Sequence, residues 1–319
     1  MANIMNNPRL AIIGTGNIAN FHCDAFKQAG FDISHAAGSK NSKNILPFSE
    51  KHLIQNIYMD PLDVLKKHDE WDIILLSTPT EYNFDYLDSI IELQKPALIE
   101  KPVAIDPQYL SRFKKNDHAQ VRVAYNRRFY STIQNAKKFI SDEGAVHARI
   151  ELPEMVNEIG NYNGVLLNSA HGIDLLLYLF EDIHLHDVYH YKNDAGRMAI
   201  FKSNCGTIIN LTMNWNSPSN FMINIESGTK RLEIKPFEYS KVFQGMQVIE
   251  PSDDLPSRRY IPQEVDNTSS YPVKNQLVKP GFLEQALEMK NIFKGKGAGK
   301  SASLYDAFKV QKILKEILD

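Results

Sequence analysis

The sequence predicts an α/β chain of two domains: a doubly wound parallel sheet first, then an α/β domain with a large open, mostly antiparallel sheet. Three observations lead there. At 319 residues the chain is about twice the usual domain length. Its first third alternates short apolar runs with helical patterns, as parallel strands joined by crossover helices do. From about residue 188 to 248 one strand-like run follows another, broken by turn signals, as an antiparallel sheet requires. The boundary falls where the pattern changes, giving domains over 1–124 and 125–319, with the last helix packing back near the first domain.

Residues 9–14 form a short apolar run ending at Gly14, the pattern of a strand buried on both faces. A helix is expected over 18–29 and a second strand over 31–37. Asp60 stands before Pro61, an N-cap followed by the residue whose missing N–H matters least at the first helical position. Residues 71–77 make another fully buried strand, 84–93 a helix, and 96–100 and 120–124 the strands that complete the sheet. In the second domain a helix over 133–141 leads to a half-exposed strand over 145–152, and 168–180 is a strongly apolar helix. Turn signals at Asn204-Cys205-Gly206, Asn216-Ser217-Pro218 and Ser227-Gly228 divide the strands that follow. The polar stretch 251–280, with its prolines, is expected to be a long loop, and amphipathic helices over 282–293 and 303–317 end the chain.

Composition excludes several partners. A net charge of −2 creates no field that would draw nucleic acid or an anionic membrane surface. No apolar run is long enough to span a bilayer, and the first ten residues lack a leader pattern. Two cysteines far apart, Cys23 and Cys205, fit a reducing compartment and neither a disulfide framework nor a structural zinc. A cytoplasmic, soluble chain without a metal is therefore expected. His184, His186 and His190, near Asp182 and Asp187, have ligand-like spacing, but no cysteine supports them and a surface cluster is the expectation.

The chemistry starts at Gly14-Thr15-Gly16-Asn17-Ile18-Ala19, a G-x-G-x-x-A run between a buried strand and a helix. Gly14 permits the tight turn, Gly16 lets the backbone approach a pyrophosphate, and Ala19 allows close helix–strand packing. The free N–H groups where the helix begins, over Thr15, Asn17 and Ile18, supply partial positive charge for the phosphates. This is a dinucleotide fingerprint, and the sheet it opens is a Rossmann domain. An NAD site usually carries an acidic residue about twenty positions on, at the end of the second strand. Here the strand runs into Ala37-Gly38-Ser39-Lys40 without a carboxylate, and Asp32 lies at its other end. A hydroxyl beside an ammonium suits a 2′-phosphate, so Ser39 and Lys40 favour NADP slightly over NAD; the alternative is that both are surface turn residues.

At Glu100-Lys101-Pro102, closing a short apolar strand, the sequence resembles the Gfo/Idh/MocA family, which includes glucose–fructose oxidoreductase and inositol dehydrogenase. Ser77-Thr78-Pro79-Thr80 resembles that family's loop beside the nicotinamide half of the cofactor, and Tyr125-Asn126-Arg127-Arg128-Phe129 its domain junction. Asn168-Ser169-Ala170-His171-Gly172-Ile173-Asp174 is similar to the helix carrying its catalytic histidine. The resemblance covers essentially the whole chain. It implies a Rossmann domain joined to a domain whose open sheet makes the oligomer interface, hence a homodimer or homotetramer. It also implies that Thr78, Pro79, Asn83, Glu100 and Lys101 line the cofactor, with Lys101 beside the nicotinamide. His171 is then the catalytic residue facing the substrate carbon, and Tyr125, Asn126, Arg128, Asn168 and Asp174 are candidate substrate contacts; the alternatives are structural arginines at the junction and a His171–Asp174 pair that ties its helix to a loop. Two positions depart from the family pattern. Leu167 stands where many members have an aspartate four residues before the histidine, and Asn83 stands where a histidine is common.

Oxidising a secondary alcohol means removing a hydroxyl proton while hydride passes to a nicotinamide, which needs a base in reach and a cation for the developing alkoxide. Histidine as a residue type ordinarily titrates near neutrality, so His171 suits the first task, and Lys101 suits the second. The expected function is an NAD(P)-dependent dehydrogenase or reductase of a sugar, nucleotide-linked sugar or cyclitol. Segments 213–216, 235–236, 259–262 and 279–282 resemble family members among surface-polysaccharide enzymes. A reductase of a non-sugar carbonyl or imine, and a non-catalytic dinucleotide-binding regulator or scaffold, are the alternatives.

Overall fold

A computed structural model describes residues 7–158, 160–271 and 278–319. The first sheet grows from β1 (Arg9–Ile13), followed by α1 (Asn17–Gln28), β2 (Asp32–Ala37), α2 (Ile45–His52), β3 (Asn56–Tyr58) and α3 (Pro61–Lys66). It continues through β4 (Ile73–Leu76), α4 (Phe84–Glu92), β5 (Ala97–Ile99) and β6 (Val121–Val123). All neighbours pair in parallel, in the order β3-β2-β1-β4-β5-β6. That is the doubly wound order of a Rossmann sheet, which reverses between β1 and β4. Leu10–Ile13 and Ile73–Leu76 are fully buried, because helices on both faces of a parallel sheet require continuous apolar strands. At the start of α3 the Asp60 side chain accepts from Leu62 N (2.9 Å) and Pro61 occupies the first turn, as the sequence implies. The sequence offers no signal for α2 and β3; β3 has three residues, too few to establish a period.

The second sheet is introduced by α5 (Ser131–Glu143) and β7 (His147–Glu151). Next come α6 (Asn163–Asn168) and α7 (Ala170–Phe180); α7 is the helix expected over 168–180, and α6 is a short helix before it, joined at Ser169. Strands β8 (Ile183–His190), β9 (Gly196–Ser203), β10 (Ile208–Asn214), β11 (Met222–Glu226), β12 (Lys230–Ile234) and β13 (Tyr239–Ile249) follow. The long loop expected over 251–280 is a misreading in part: β14 (Arg259–Ser269) pairs antiparallel along β13. Residues 272–277 of that stretch lie outside the described residues. Nearly every β14 residue is exposed, so no apolar alternation announces the strand, and Pro262 is tolerable because β14 is an edge. The sheet order is β14-β13-β12-β11-β7-β10-β9-β8, antiparallel except where β7 meets β10. One face is core, with Ala148, Ile150, Ile209, Leu211, Ile223, Ile225, Leu232 and Ile234 all fully buried.

The chain ends with α8 (Phe282–Phe293) and α9 (Leu304–Leu318). By compactness, described residues 7–129 and 278–312 form one unit, and 130–271 with 313–319 the other. Residues 278–312 thus return to the first unit. The return has an apolar cause: Phe282, Ala286, Met289 and Ile292 of α8 share one core cluster with Phe26, Phe31 and Leu10. Lys290 of α8 also donates to Ala29 O (2.7 Å) and Gly30 O (3.2 Å), satisfying carbonyls at the end of α1. Among the described residues no helix is long and apolar enough to cross a membrane.

Candidate functional site: a dinucleotide cradle and a histidine-bearing helix

In the first unit Gly14 turns the chain out of β1 with φ +92°, a conformation that favours glycine. Its N–H donates to Ala37 O (2.9 Å). A Cβ here would lie 2.4 Å from Ser77 O and 2.8 Å from Thr78 N, so only glycine lets the turn rest against the end of β4. Gly16 is the opposite case, since a Cβ there would meet no protein atom within 4 Å. Gly16 is the N-cap of α1, which has no side-chain cap and no acidic residue in its first turn. Thr15 Oγ1 and Ser77 Oγ are buried, and neither has a hydrogen-bond partner among the described residues. Uncapped N–H groups at Asn17 and Ile18, two orphaned hydroxyls and an open side at Gly16 all fit a pyrophosphate at the switch point of the sheet. Ser39 and Lys40 are exposed just beyond the end of β2, beside the Gly14–Ala37 bond, whereas Asp32 opens that strand at its far end.

Glu100 follows the last residue of β5, and its N–H donates to Leu76 O (2.8 Å). Its buried carboxylate has one oxygen 2.6 Å from His22 Nε2, while the other accepts the Lys101 N–H (3.0 Å). The Lys101–Pro102 peptide is cis. Glu100 therefore holds the backbone that carries Lys101. Asn83, assigned above to the cofactor, is 1% exposed, and its amide is committed within the fold. Its oxygen accepts from Thr78 Oγ1 (2.8 Å), and its nitrogen donates to Pro102 O (3.3 Å) and Val103 O (3.1 Å). It ties the loop of Thr78 and Pro79 to the segment after Lys101.

The substrate candidates at the junction are also engaged in the first unit. Tyr125 is fully buried, Asn126 donates to Pro280 O (3.1 Å), and Arg128 lies 3.7 Å from the Asp306 carboxylate. These bonds hold the turn 126–129 to the segments that open α8 and α9.

In the second unit His171 and Asp174 lie on the buried face of α7, three residues apart and so on one side of the helix. Asn168 is exposed at the end of α6. Gly172 lets α7 press against Leu152: a Cβ there would come 2.3 Å from Leu152 Cδ2. Nothing in the sequence singles out Glu154, two residues past Leu152. It is buried and accepts from Ser169 Oγ (2.8 Å) and Asn168 Nδ2 (3.4 Å) where α7 begins. No local signal links Glu154 to residues so far along the chain. His22 did leave one, as a histidine on the otherwise apolar face Ala19, Cys23, Phe26 of α1. Burial pushes the Cys23 thiol on that face up to about 12, so it is a packing group. His184, His186 and His190 are exposed on β8, where His184 bonds Asn204 and His186 bonds Asp187. Among the described residues no group of three or more His, Cys, Asp or Glu could hold a metal ion.

Residues 8–125 match the model of the Gfo/Idh/MocA "Oxidoreductase family, NAD-binding Rossmann fold". No curated protein matches the sequence. Among solved structures, levoglucosan dehydrogenase in complex with NADH and L-sorbose is similar over 98% of this chain and 96% of its own, with TM-score 0.76 and 16% identity. An oxidoreductase from Agrobacterium radiobacter, in complex with NAD+, L-tartaric acid and magnesium, covers the same shares with TM-score 0.73 and 12% identity. An oxidoreductase from Desulfitobacterium hafniense described as NADPH-dependent is similar over 99% of this chain and 95% of its own, with TM-score 0.76 and 13% identity.

Proposed function

We propose, from the match of residues 8–125 to the Gfo/Idh/MocA oxidoreductase family model, that this chain is a member of that family and an NAD(P)-dependent dehydrogenase or reductase of a sugar, nucleotide-linked sugar or cyclitol. The observation that carries this reading is the cradle at the reversal point, with its glycine-only turn and the orphaned hydroxyls of Thr15 and Ser77. Gly14, Thr15, Gly16, Asn17 and Ile18 hold the pyrophosphate, and Thr78, Pro79 and Lys101 border the nicotinamide. When bound, the cofactor supplies the acceptor or donor of hydride. His171 takes the hydroxyl proton of the substrate or returns it, and Lys101 stabilises the developing alkoxide oxygen. Asp174 and Asn168 orient the substrate near His171. Ser39 and Lys40 read the ribose and favour NADP; an NADPH-dependent relative supports that choice, and relatives bound to NADH and NAD+ weigh against it. The relatives that bind L-sorbose and levoglucosan support a sugar-like substrate. The protein acts in the cytoplasm as a homodimer or homotetramer built on the open sheet of the second unit.

The test is a fluorescence titration with NADH and NADPH, followed by turnover on a panel of sugars and cyclitols. NADPH is expected to bind at least tenfold tighter, about 1.4 kcal/mol. Equal binding would remove the role of Ser39 and Lys40, and absence of binding by either would remove the whole reading. Lys101→Ala is expected to cut turnover at least a hundredfold while cofactor still binds, about the scale of a lost electrostatic contact in a transition state. Turnover of the variant at the wild-type rate would remove Lys101 from the chemistry, and absence of turnover by the wild type across the panel would leave a binding protein.

A further inference from the structure

We propose that His22, together with Glu100, is the positioning device for Lys101, an inference that rests on the dehydrogenase reading above. His22 is 1% exposed on the inner face of α1, with its ring 4.7 Å from that of Phe282 and 6.5 Å from that of Phe26. In so apolar a place a hydrogen-bonding ring and a carboxylate are costly unless each satisfies the other. They do so at 2.6 Å, from His22 Nε2 to Glu100 Oε1. The bond does more than fill a core. It fixes the carboxylate plane, so that Oε2 receives the Lys101 N–H at 3.0 Å. On either side the backbone is already held, by Glu100 N to Leu76 O (2.8 Å) and by Asn83 to the carbonyls of Pro102 and Val103.

The Lys101 N–H is thus held by a side chain, and that side chain is itself held by α1. Since α1 also begins at the pyrophosphate cradle, one rigid helix sets both the phosphate end of the cofactor site and the lysine proposed for the nicotinamide end. A shift of about 1 Å in such a group costs on the order of a hundredfold in rate. Glu100 is therefore a positioning residue and not a cofactor contact, and His22 positions Glu100.

The experiment compares His22→Leu, which removes the donor, with His22→Gln, whose amide nitrogen reaches the same place, and His22→Asn, whose amide falls short. Amide hydrogen exchange is read at Glu100 and at Lys101. In His22→Leu the Lys101 N–H is expected to exchange at least tenfold faster while the Glu100 N–H, bonded to Leu76, is unchanged; His22→Gln restores protection. Turnover on whichever panel substrate the wild type accepts should fall at least tenfold in His22→Leu, with no further fall when Lys101→Ala is already present. Should His22→Leu fail to fold, His22→Asn against His22→Gln carries the same comparison. Equal acceleration at Glu100 and Lys101 would mean that the pair merely stabilises the fold, and unchanged exchange at Lys101 would mean that it positions nothing. Losses that multiply in the double variant would overturn the proposal as well. Absence of cofactor binding by the wild type would instead sink the dehydrogenase reading, and the exchange at Lys101 separates that failure from this one.

Discussion

Gly14 and Gly172 each let two elements meet closer than any side chain allows, one in each unit, and they differ in what they meet. A Cβ at Gly14 would run into the backbone of Ser77 and Thr78, at 2.4 Å from Ser77 O. One at Gly172 would run into the side chain of Leu152, at 2.3 Å from Cδ2. Backbone at the end of a central strand cannot move without breaking the sheet, whereas a leucine side chain can rotate or be trimmed. The cradle in the first unit is therefore fixed by main-chain geometry, and the seat of α7 in the second by side-chain packing.

Substitution separates the two cases. Gly14→Ala should have the largest effect: about 1–2 kcal/mol for the left-handed backbone and ~1–3 kcal/mol for the clash, with dinucleotide binding lost. A denaturant titration and the NADPH titration would check both, and retained binding would break the comparison at its stronger end. Gly172→Ala should cost about 1–3 kcal/mol from overpacking alone, because it sits at ordinary helical φ. That loss should be partly relieved by Leu152→Ala, so that the double variant is more stable than the sum of the single losses by about 1 kcal/mol or more. Strict additivity would mean that α7 is seated by something other than Leu152.

The same difference explains what the sequence discloses. Main-chain constraints leave short local signatures, so Gly14-Thr15-Gly16, Asp60-Pro61 and Glu100-Lys101-Pro102 are legible and place the turn, the helix start and the lysine segment. Side-chain constraints join residues far apart and leave no such trace. Glu154 meets Ser169, and Asn126 meets Pro280, through contacts that no spacing encodes. Asn83 is another such case, since its amide bonds Thr78, Pro102 and Val103 through contacts that residue type does not announce. The hidden strand β14 is the extreme case, since an edge exposed on both faces is held by its ladder to β13 and shows no apolar period. Fold type was readable where burial is one-sided or complete, and unreadable where a strand is paired without being buried.

Charge adds a third kind of contact, smaller than either, at the start of α9. Asp306 accepts from Ser303 N (2.9 Å), Ser303 Oγ is 3.1 Å from Asp306 N, and the two residues form a capping box. Burial pushes the Asp306 carboxyl up, but the charge of Arg128 at 3.7 Å, the Ser303 N–H and Lys309 outweigh it and hold the group below its ordinary value. A carboxyl depressed in the folded state stabilises the fold above its unfolded pKa, ~4, and that stabilisation disappears as pH falls through the folded value. Asp306→Asn keeps an acceptor for Ser303 and removes only the charge. It should destabilise by about 1 kcal/mol at neutral pH, with the gap from wild type closing in acid as the native carboxyl protonates. Urea unfolding at neutral pH and again near pH 3 would measure this. A gap that persists unchanged in acid would assign the contribution of Asp306 to the capping geometry and none of it to Arg128, leaving the turn 126–129 to be held by hydrogen bonds such as Asn126 to Pro280.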